Sequence, residues 1–378
     1  MNVGWDTVKR QLLSAAIVRI SRSEKILLMW KQLTNEDTKL VLSEPQCKYA
    51  PWLSQAVWLL MTIFYILCTL LPLLFVVFLV GVYKGIITAY SVSILLGLMA
   101  LDILVPIPCG YRPPLERGGN LWRILQEGGC HYFPARYICL AELCEKKSYI
   151  LASWPHGLLG AANHFCFLPL LDRGYHPICS GADVLLFIPF LRRFFATIGY
   201  CSCSRAALRK VLDVERYGPT YPYNIVHLPV GGIAEMFCRD EQIILSKRKG
   251  FIKLALETGA DIIPHYTFGA NETYYRPFGP SSVLAKISSK LRVSIVPWFG
   301  RWWIPLGAVP FRVPVLDVMG PVMEVPKHKP VTEWLVSQVH AKFCDELRKL
   351  FDEYKVVYVK EMGASDAWLT KKLRFEDE

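Results

Sequence analysis

The dominant feature of the hydropathy pattern is a long stretch without charge. Ala56 to Val82 reads AVWLLMTIFYILCTLLPLLFVVFLVGV, and after Tyr83, Lys84 and Gly85 a second uncharged run extends from Ile86 to Ala100. A bilayer crossing takes about 20 apolar residues, so the first run qualifies and the second is marginal. Their tight junction predicts a hairpin that returns the chain to its starting side, or a wedge that never crosses. From about Leu121 short apolar runs alternate with amphipathic stretches, the pattern of an α/β domain. Strands are expected at Tyr149–Ser153, Ile198–Ser202, Asn224–Leu228, Asp261–Tyr266, Val293–Pro297 and Val315–Met319. Ser204 is placed to cap a helix reaching Tyr217, and Gly259 to end one over Phe251–Thr258. Leu335, Val339, Phe343, Leu347, Leu350 and Tyr354 recur at spacings of three and four, which predicts an amphipathic helix. The expected organisation is a segment over 1–55, a membrane hairpin over 56–108 and an α/β domain over 109–378, with a central mixed sheet flanked by helices.

Composition strengthens the membrane reading. The 378 residues are 53% hydrophobic, and a mean hydropathy of +0.28 is high for a soluble enzyme. Lys9, Arg10, Arg19, Arg22, Lys25 and Lys31 precede the apolar runs, and Arg112, Arg117 and Arg123 follow them. The positive-inside rule then puts both flanks, and the bulk of the chain, on the cytosolic side. No short apolar region with a small-residue cleavage site precedes the runs, so a secretory signal is not expected. A net charge of +11 suits anionic headgroups or a phosphate-bearing ligand. Nucleic acid is not an expected partner, since no zinc-finger spacing, RNA-binding signature or basic recognition helix occurs. The 12 cysteines lie in apolar surroundings or as Cys201-x-Cys203, a pattern read as reduced thiols. The sequon Asn271-Glu-Thr273 would stay unused in the cytosol.

Candidate chemistry centres on Ser153-Trp-Pro-His-Gly157, where a strand ends in an ionisable residue. Pro155 fixes φ and ends the strand, while Gly157 lets a substrate approach the ring closely. If residues 158–168 form a helix, His156 sits at its positive end, which favours the neutral imidazole a general base needs, and free N–H groups there can stabilise an oxyanion. The alternative is a core histidine bonded to a carbonyl. His227-Leu-Pro-Val-Gly-Gly-Ile-Ala-Glu235 repeats the strand-then-glycine construction. Glu235 can orient the base, bind the substrate hydroxyl, or simply favour a helix start. Lys247, Arg248 and Lys249 precede a helix beginning near Gly250 and Phe251, an arrangement that can hold phosphate or form a solvated basic loop. Arg205 adds a charge at another strand-to-helix turn. Such turns gathered on one sheet edge make an α/β ligand site.

Several classes drop out. No G-x-S-x-G elbow, HExxH, paired C-x-x-C, Walker or dinucleotide glycine signature is present. A base without a covalent nucleophile, near phosphate-binding turns and at a membrane, fits direct acyl transfer from acyl-CoA. His340 and Asp345 give a literal His-x4-Asp, but five helical residues set them about 140° apart, so the match is read as coincidence.

The ordered motifs Tyr132-Phe-Pro134, Pro155-His-Gly157, Gly231-Gly-Ile-Ala-Glu235, Arg248-Lys-Gly-Phe251, Phe268-Gly-Ala-Asn-Glu272 and Met319-Gly-Pro-Val322 resemble those of the second type of diacylglycerol acyltransferase. That family also contains monoacylglycerol and wax-alcohol acyltransferases. The resemblance covers roughly residues 56–355. It implies an enzyme of the endoplasmic reticulum and lipid droplet that esterifies a neutral lipid alcohol, diacylglycerol foremost, with acyl-CoA as co-substrate and neither metal nor cofactor. The alternatives are a monoacylglycerol or long-chain alcohol acceptor, or a non-catalytic droplet-binding relative. A homo-oligomer is compatible with the sequence. Trp154 departs from the family's His-Pro-His-Gly, which places the base role on His156. The implied site comprises His156 and Glu235, with Pro155, Gly157, Gly231, Gly232, Arg205, Arg248, Lys249, Gly250 and Phe251 around the substrates.

Overall fold

A computed structural model describes residues 42–43, 47–85, 88–105, 115–158, 167–197, 199–218, 221–291 and 296–376. The chain begins with strand β1 (Leu42–Ser43) and helices α1 (Pro51–Thr69), α2 (Leu71–Tyr83), α3 (Ala89–Leu104) and α4 (Leu115–Tyr132). Next come β2 (Ala135–Cys139), β3 (Tyr149–Trp154), α5 (Leu168–Asp172), β4 (Ile178–Gly181), α6 (Leu191–Thr197) and β5 (Cys201–Ser202). They are followed by α7 (Arg205–Leu212), α8 (Val214–Tyr217), β6 (Ile225–Pro229), β7 (Gln242–Ile243) and α9 (Gly250–Thr258). The last elements are β8 (Asp261–Phe268), α10 (Val283–Leu291), β9 (Val315–Met319), α11 (Glu333–Met362) and β10 (Arg374–Phe375).

The main sheet has the order β1-β2-β9-β8-β3-β6-β4-β5. β3 lies inside it, parallel to both β6 and β8, whereas β8 and β9 run antiparallel, so the sheet is mixed as expected. Every residue of β3 is buried, which explains its apolar run without polar alternation. Ile150, Ala152 and Trp154 face a core built with Phe251 of α9 and Phe343, Leu347 and Phe351 of α11. Tyr149 and Leu151 face the opposite core, with Trp122 and Leu125 of α4 and the half-buried Val57 and Met61 of α1. β3, β6, β8, β9, α9 and α11 lie where the sequence places them. The helix capped by Ser204 breaks at Asp213, and β5 is shorter than expected. The strand expected at Val293–Pro297 falls largely outside the described residues, and its last two positions are not in a strand.

The expected span over 56–82 is two helices, parted at Leu70, with a proline in the first turn of α2. Proline lacks the N–H that would continue the hydrogen-bond ladder. Among the described residues no helix is long and apolar enough to cross a membrane. One side of α1 is packed into the domain. Trp58 stacks on Tyr132 with ring centroids 4.9 Å apart, and Gln55 donates to the His131 carbonyl at 3.0 Å. The opposite side of α1 and most of α2 and α3 leave Leu60, Leu67, Val76, Val80, Tyr90, Leu101 and Leu104 exposed. Asp102, the charge that ends the second apolar run, is buried and accepts from the Phe190 N–H at 3.0 Å and from Arg193. That pairing ties α3 to the chain entering α6 and accounts for a carboxylate in so apolar a segment.

Candidate active site

β3 delivers Pro155, His156 and Gly157 to the turn at its C-terminal end. The Trp154–Pro155 peptide is cis, and Gly157 has φ +63°, a conformation that favours glycine. The Gly157 carbonyl accepts from His156 Nδ1 at 3.0 Å. A carbonyl only accepts, so the proton belongs on Nδ1 and the Nε2 lone pair is left for a substrate. The His156 backbone N–H donates to Glu235 Oε2 at 2.7 Å, and the Ile244 N–H donates to Oε1 at 2.9 Å. Glu235 therefore holds the base through its main chain and makes no hydrogen bond to the ring. The carboxylate lies so close over Gly231 that a Cβ there would stand 2.3–2.5 Å from its three carboxyl atoms. Gly232 opens the short 3-10 helix Gly232–Phe237 that carries Glu235.

Burial lowers the His156 pKa below its ordinary 6.5, against the hydrogen bond to Gly157, and the charge of Arg276 lowers it further. Arg276 is itself buried, donating to the carbonyls of Met236 and Asn271 and to the Asn271 side chain. Burial pushes its pKa down to about 10. The Glu235 carboxyl is pushed up to about 8 by burial, opposed by its two N–H donors and by Arg248. A base must be neutral to work, so kcat/KM should rise with pH to a plateau with its midpoint below 6.5. A pH–rate profile with an acid limb centred above that value would contradict this environment. The helix expected over 158–168 lies mostly outside the described residues. Leu158, just past the turn, joins an apolar cluster with Ile66, Met236, Phe237, Tyr274 and Trp298.

The other expected residues divide. Arg248 reaches the Gly231 carbonyl with a guanidinium nitrogen at 3.4 Å, beside the Glu235 turn. Lys249 immediately precedes α9, which starts at Gly250, and donates to Ser337 Oγ at 3.2 Å. Phe251 is buried against Trp154 and Phe343, with centroids 6.1 and 5.1 Å away, so it supports the site from the core. Arg205 is not brought to this cluster. It pairs with Glu257 near the far end of α9, as does Arg209, and eight residues of helix put that end about 12 Å from Lys249. Trp154 points to the opposite sheet face from Ser153 and is fully buried. The letter that departs from the motif therefore fills core space and leaves the His156 ring untouched.

A buried polar row escaped the sequence reading. Ser153 Oγ lies 2.8 Å from His265 Nδ1, Asp317 Oδ1 lies 3.3 Å from His265 Nε2, and Thr267 donates to Asp317 at 2.6 Å. Buried polar groups are normally paired, and this row ties β3, β8 and β9 together immediately before the His156 turn. Its signal was present as single polar letters inside the apolar strands LASW, IIPHYTF and VLDVM. Arg276 gave less warning, being one basic residue among aromatics.

A family model described as diacylglycerol acyltransferase matches residues 83–364, which include the His156, Glu235 and Arg248 motifs. The chain is 31% identical to diacylglycerol O-acyltransferase 2-like protein 6 of Bos taurus, over 71% of this chain and 83% of that protein. It is 29% identical to acyl-CoA wax alcohol acyltransferase 2 of Homo sapiens, over 74% and 86% of the two chains. Identity to diacylglycerol O-acyltransferase 2 of Dictyostelium discoideum is 32%, over 65% of this chain and 76% of the other.

Proposed function

This chain belongs to the diacylglycerol acyltransferase family, and from that premise we propose that it transfers a fatty acyl group from acyl-CoA to the free hydroxyl of diacylglycerol. The observation that carries the reading is the hydrogen bond between His156 Nδ1 and the Gly157 carbonyl, which leaves Nε2 as the basic atom, and burial favours the neutral ring. Nε2 takes the hydroxyl proton as the oxygen attacks the thioester carbonyl. The tetrahedral intermediate expels coenzyme A as a thiolate, and the imidazolium returns its proton. One ester forms, one thioester breaks, and no acyl-enzyme arises. A lowered pKa keeps the ring unprotonated before the reaction and makes the imidazolium a readier donor to the departing thiolate, at some cost in basicity in the first transfer. Glu235 is the positioning residue, since it fixes the main chain that carries the ring. Arg248 and Lys249 supply charge for the phosphates of acyl-CoA, which enters as co-substrate; the reading assigns no metal or further cofactor.

The exposed apolar side chains of α2 and α3 support a place at a membrane surface, proposed as the cytosolic face of the endoplasmic reticulum or a lipid droplet. Similarity to a wax alcohol acyltransferase favours a long-chain alcohol as the second reading. Competing diacylglycerol, monoacylglycerol and a long-chain alcohol for one labelled acyl-CoA separates them. Triacylglycerol should be the main labelled product; a majority of wax ester would transfer the assignment to the alcohol.

A further inference from the structure

We propose that the turn Leu245–Lys247 is a phosphate-binding site which the chain's own Glu376 occupies, and that a bound phosphate displaces this carboxylate. Glu376 Oε2 accepts from the N–H groups of Leu245 and Ser246 at 2.6 and 3.0 Å, and Oε1 accepts from Lys247 at 3.1 Å. The N–H before them, that of Ile244, goes to Glu235. Four successive N–H groups thus point at two carboxylates. Three converging amides form a concave anion site of the kind that also takes phosphate. The turn is closed by the Arg248 N–H on the Leu245 carbonyl at 2.9 Å, and His340 Nε2 meets the same carbonyl at 3.0 Å. The amides are therefore fixed by groups other than their occupant.

Glu376 arrives on a short strap. β10 pairs in parallel with β7 through Arg374 opposite Gln242 and Phe375 opposite Ile243, and the Arg348 guanidinium covers the Phe375 ring at 3.9 Å. Phe375 is buried in the core and anchors the strap, and Glu376, the residue after it, lies beyond the residues the family model matches. Lys247 supplies the third of these amides and Arg248 and Lys249 follow it; a phosphate replacing the carboxylate meets the same donors with more acceptor oxygens and stronger charge. The site is contiguous with the Ile244–Glu235–His156 connection, since Leu245 follows Ile244 directly. Identifying the phosphate with that of acyl-CoA rests on the function proposed above; the site itself does not.

Full-length protein carrying Glu376→Gln tests this by calorimetry and by kinetics. The probes are inorganic phosphate, coenzyme A, dephospho-coenzyme A and vesicles containing phosphatidate. The variant should bind the phosphate probe at least threefold more tightly, and its KM for acyl-CoA should fall by a similar factor with kcat within twofold. A gain with coenzyme A that is lost with dephospho-coenzyme A assigns the 3′-phosphate, an equal gain with both assigns the diphosphate, and a gain confined to vesicles assigns a lipid headgroup. Unchanged or weaker binding of every probe would overturn the proposal, making Glu376 a lock on the loop. Should the variant fail to fold, Lys247→Ala leaves the amides in place and should weaken phosphate binding at least threefold; unchanged binding there is equally fatal. Calorimetry reads the site even if no alcohol accepts an acyl group, so the two proposals fail separately.

Discussion

His156→Ala is expected to lower acyl transfer by at least about 10²-fold, the scale of a lost general base, while the protein stays folded. The separation follows from what the residue contributes to structure. Its side-chain bond to Gly157 is a single neutral contact, worth about 1 kcal/mol. The structurally heavier bond, from the backbone N–H to Glu235, survives in alanine. Specific activity and a melting curve on the same preparation check both halves. Full activity would make His156 a structural histidine, the alternative the sequence left open.

Gly231→Ala should be nearly as damaging by a different route. Gly231 has φ −64° and ψ −32°, which alanine adopts freely, so backbone strain is not the issue. The new Cβ would fall 2.3 Å from Oε2 and from the carboxyl carbon of Glu235. The carboxylate must leave its seat, and the N–H groups of His156 and Ile244 lose their acceptor. A buried donor left without its acceptor costs about 1–3 kcal/mol, so losing the acceptor of both amides is expected to cost at least about 2 kcal/mol even after partial rescue by water. A shift of about 1 Å in a reacting group can cost about 10²-fold in rate, and here the freed main chain carries the base itself. Denaturant unfolding with parallel turnover measurements tests this. Wild-type values for both would mean that the Glu235 carboxylate does not anchor the turn.

Much of this arrangement was legible because buried strands write themselves plainly. β3, β6, β8 and β9 are short apolar runs bounded by turn residues, and the proline and glycines after β3 and β6 mark where the chain leaves the sheet. α11 was equally clear, since Phe343, Leu347 and Leu350 fall on one buried stripe. His340 and Asp345 separate as their spacing required, one buried and the other exposed. Two-residue strands such as β7 and β10 leave too little pattern to read. The partners of Glu235 and Glu376 were hidden for another reason: both bind backbone amides, which have no letter in a sequence. Arg205 stood correctly after the Ser204 cap, yet Glu257, distant in sequence, claims its charge. Hydropathy also cannot distinguish an apolar surface meant for protein from one meant for lipid. α1 carries both, with Trp58 and Ile66 against the domain and Leu60 and Leu67 facing outward.

The most direct test of the central claim is the formation of labelled triacylglycerol from acyl-CoA and diacylglycerol by the wild-type protein, read across pH beside His156→Ala. Triacylglycerol that rises to a plateau with a midpoint below 6.5, and is at least about 10²-fold reduced in the variant on that plateau, is the predicted result. Wild-type protein that is folded and yields no triacylglycerol, or a variant that yields as much, would contradict it.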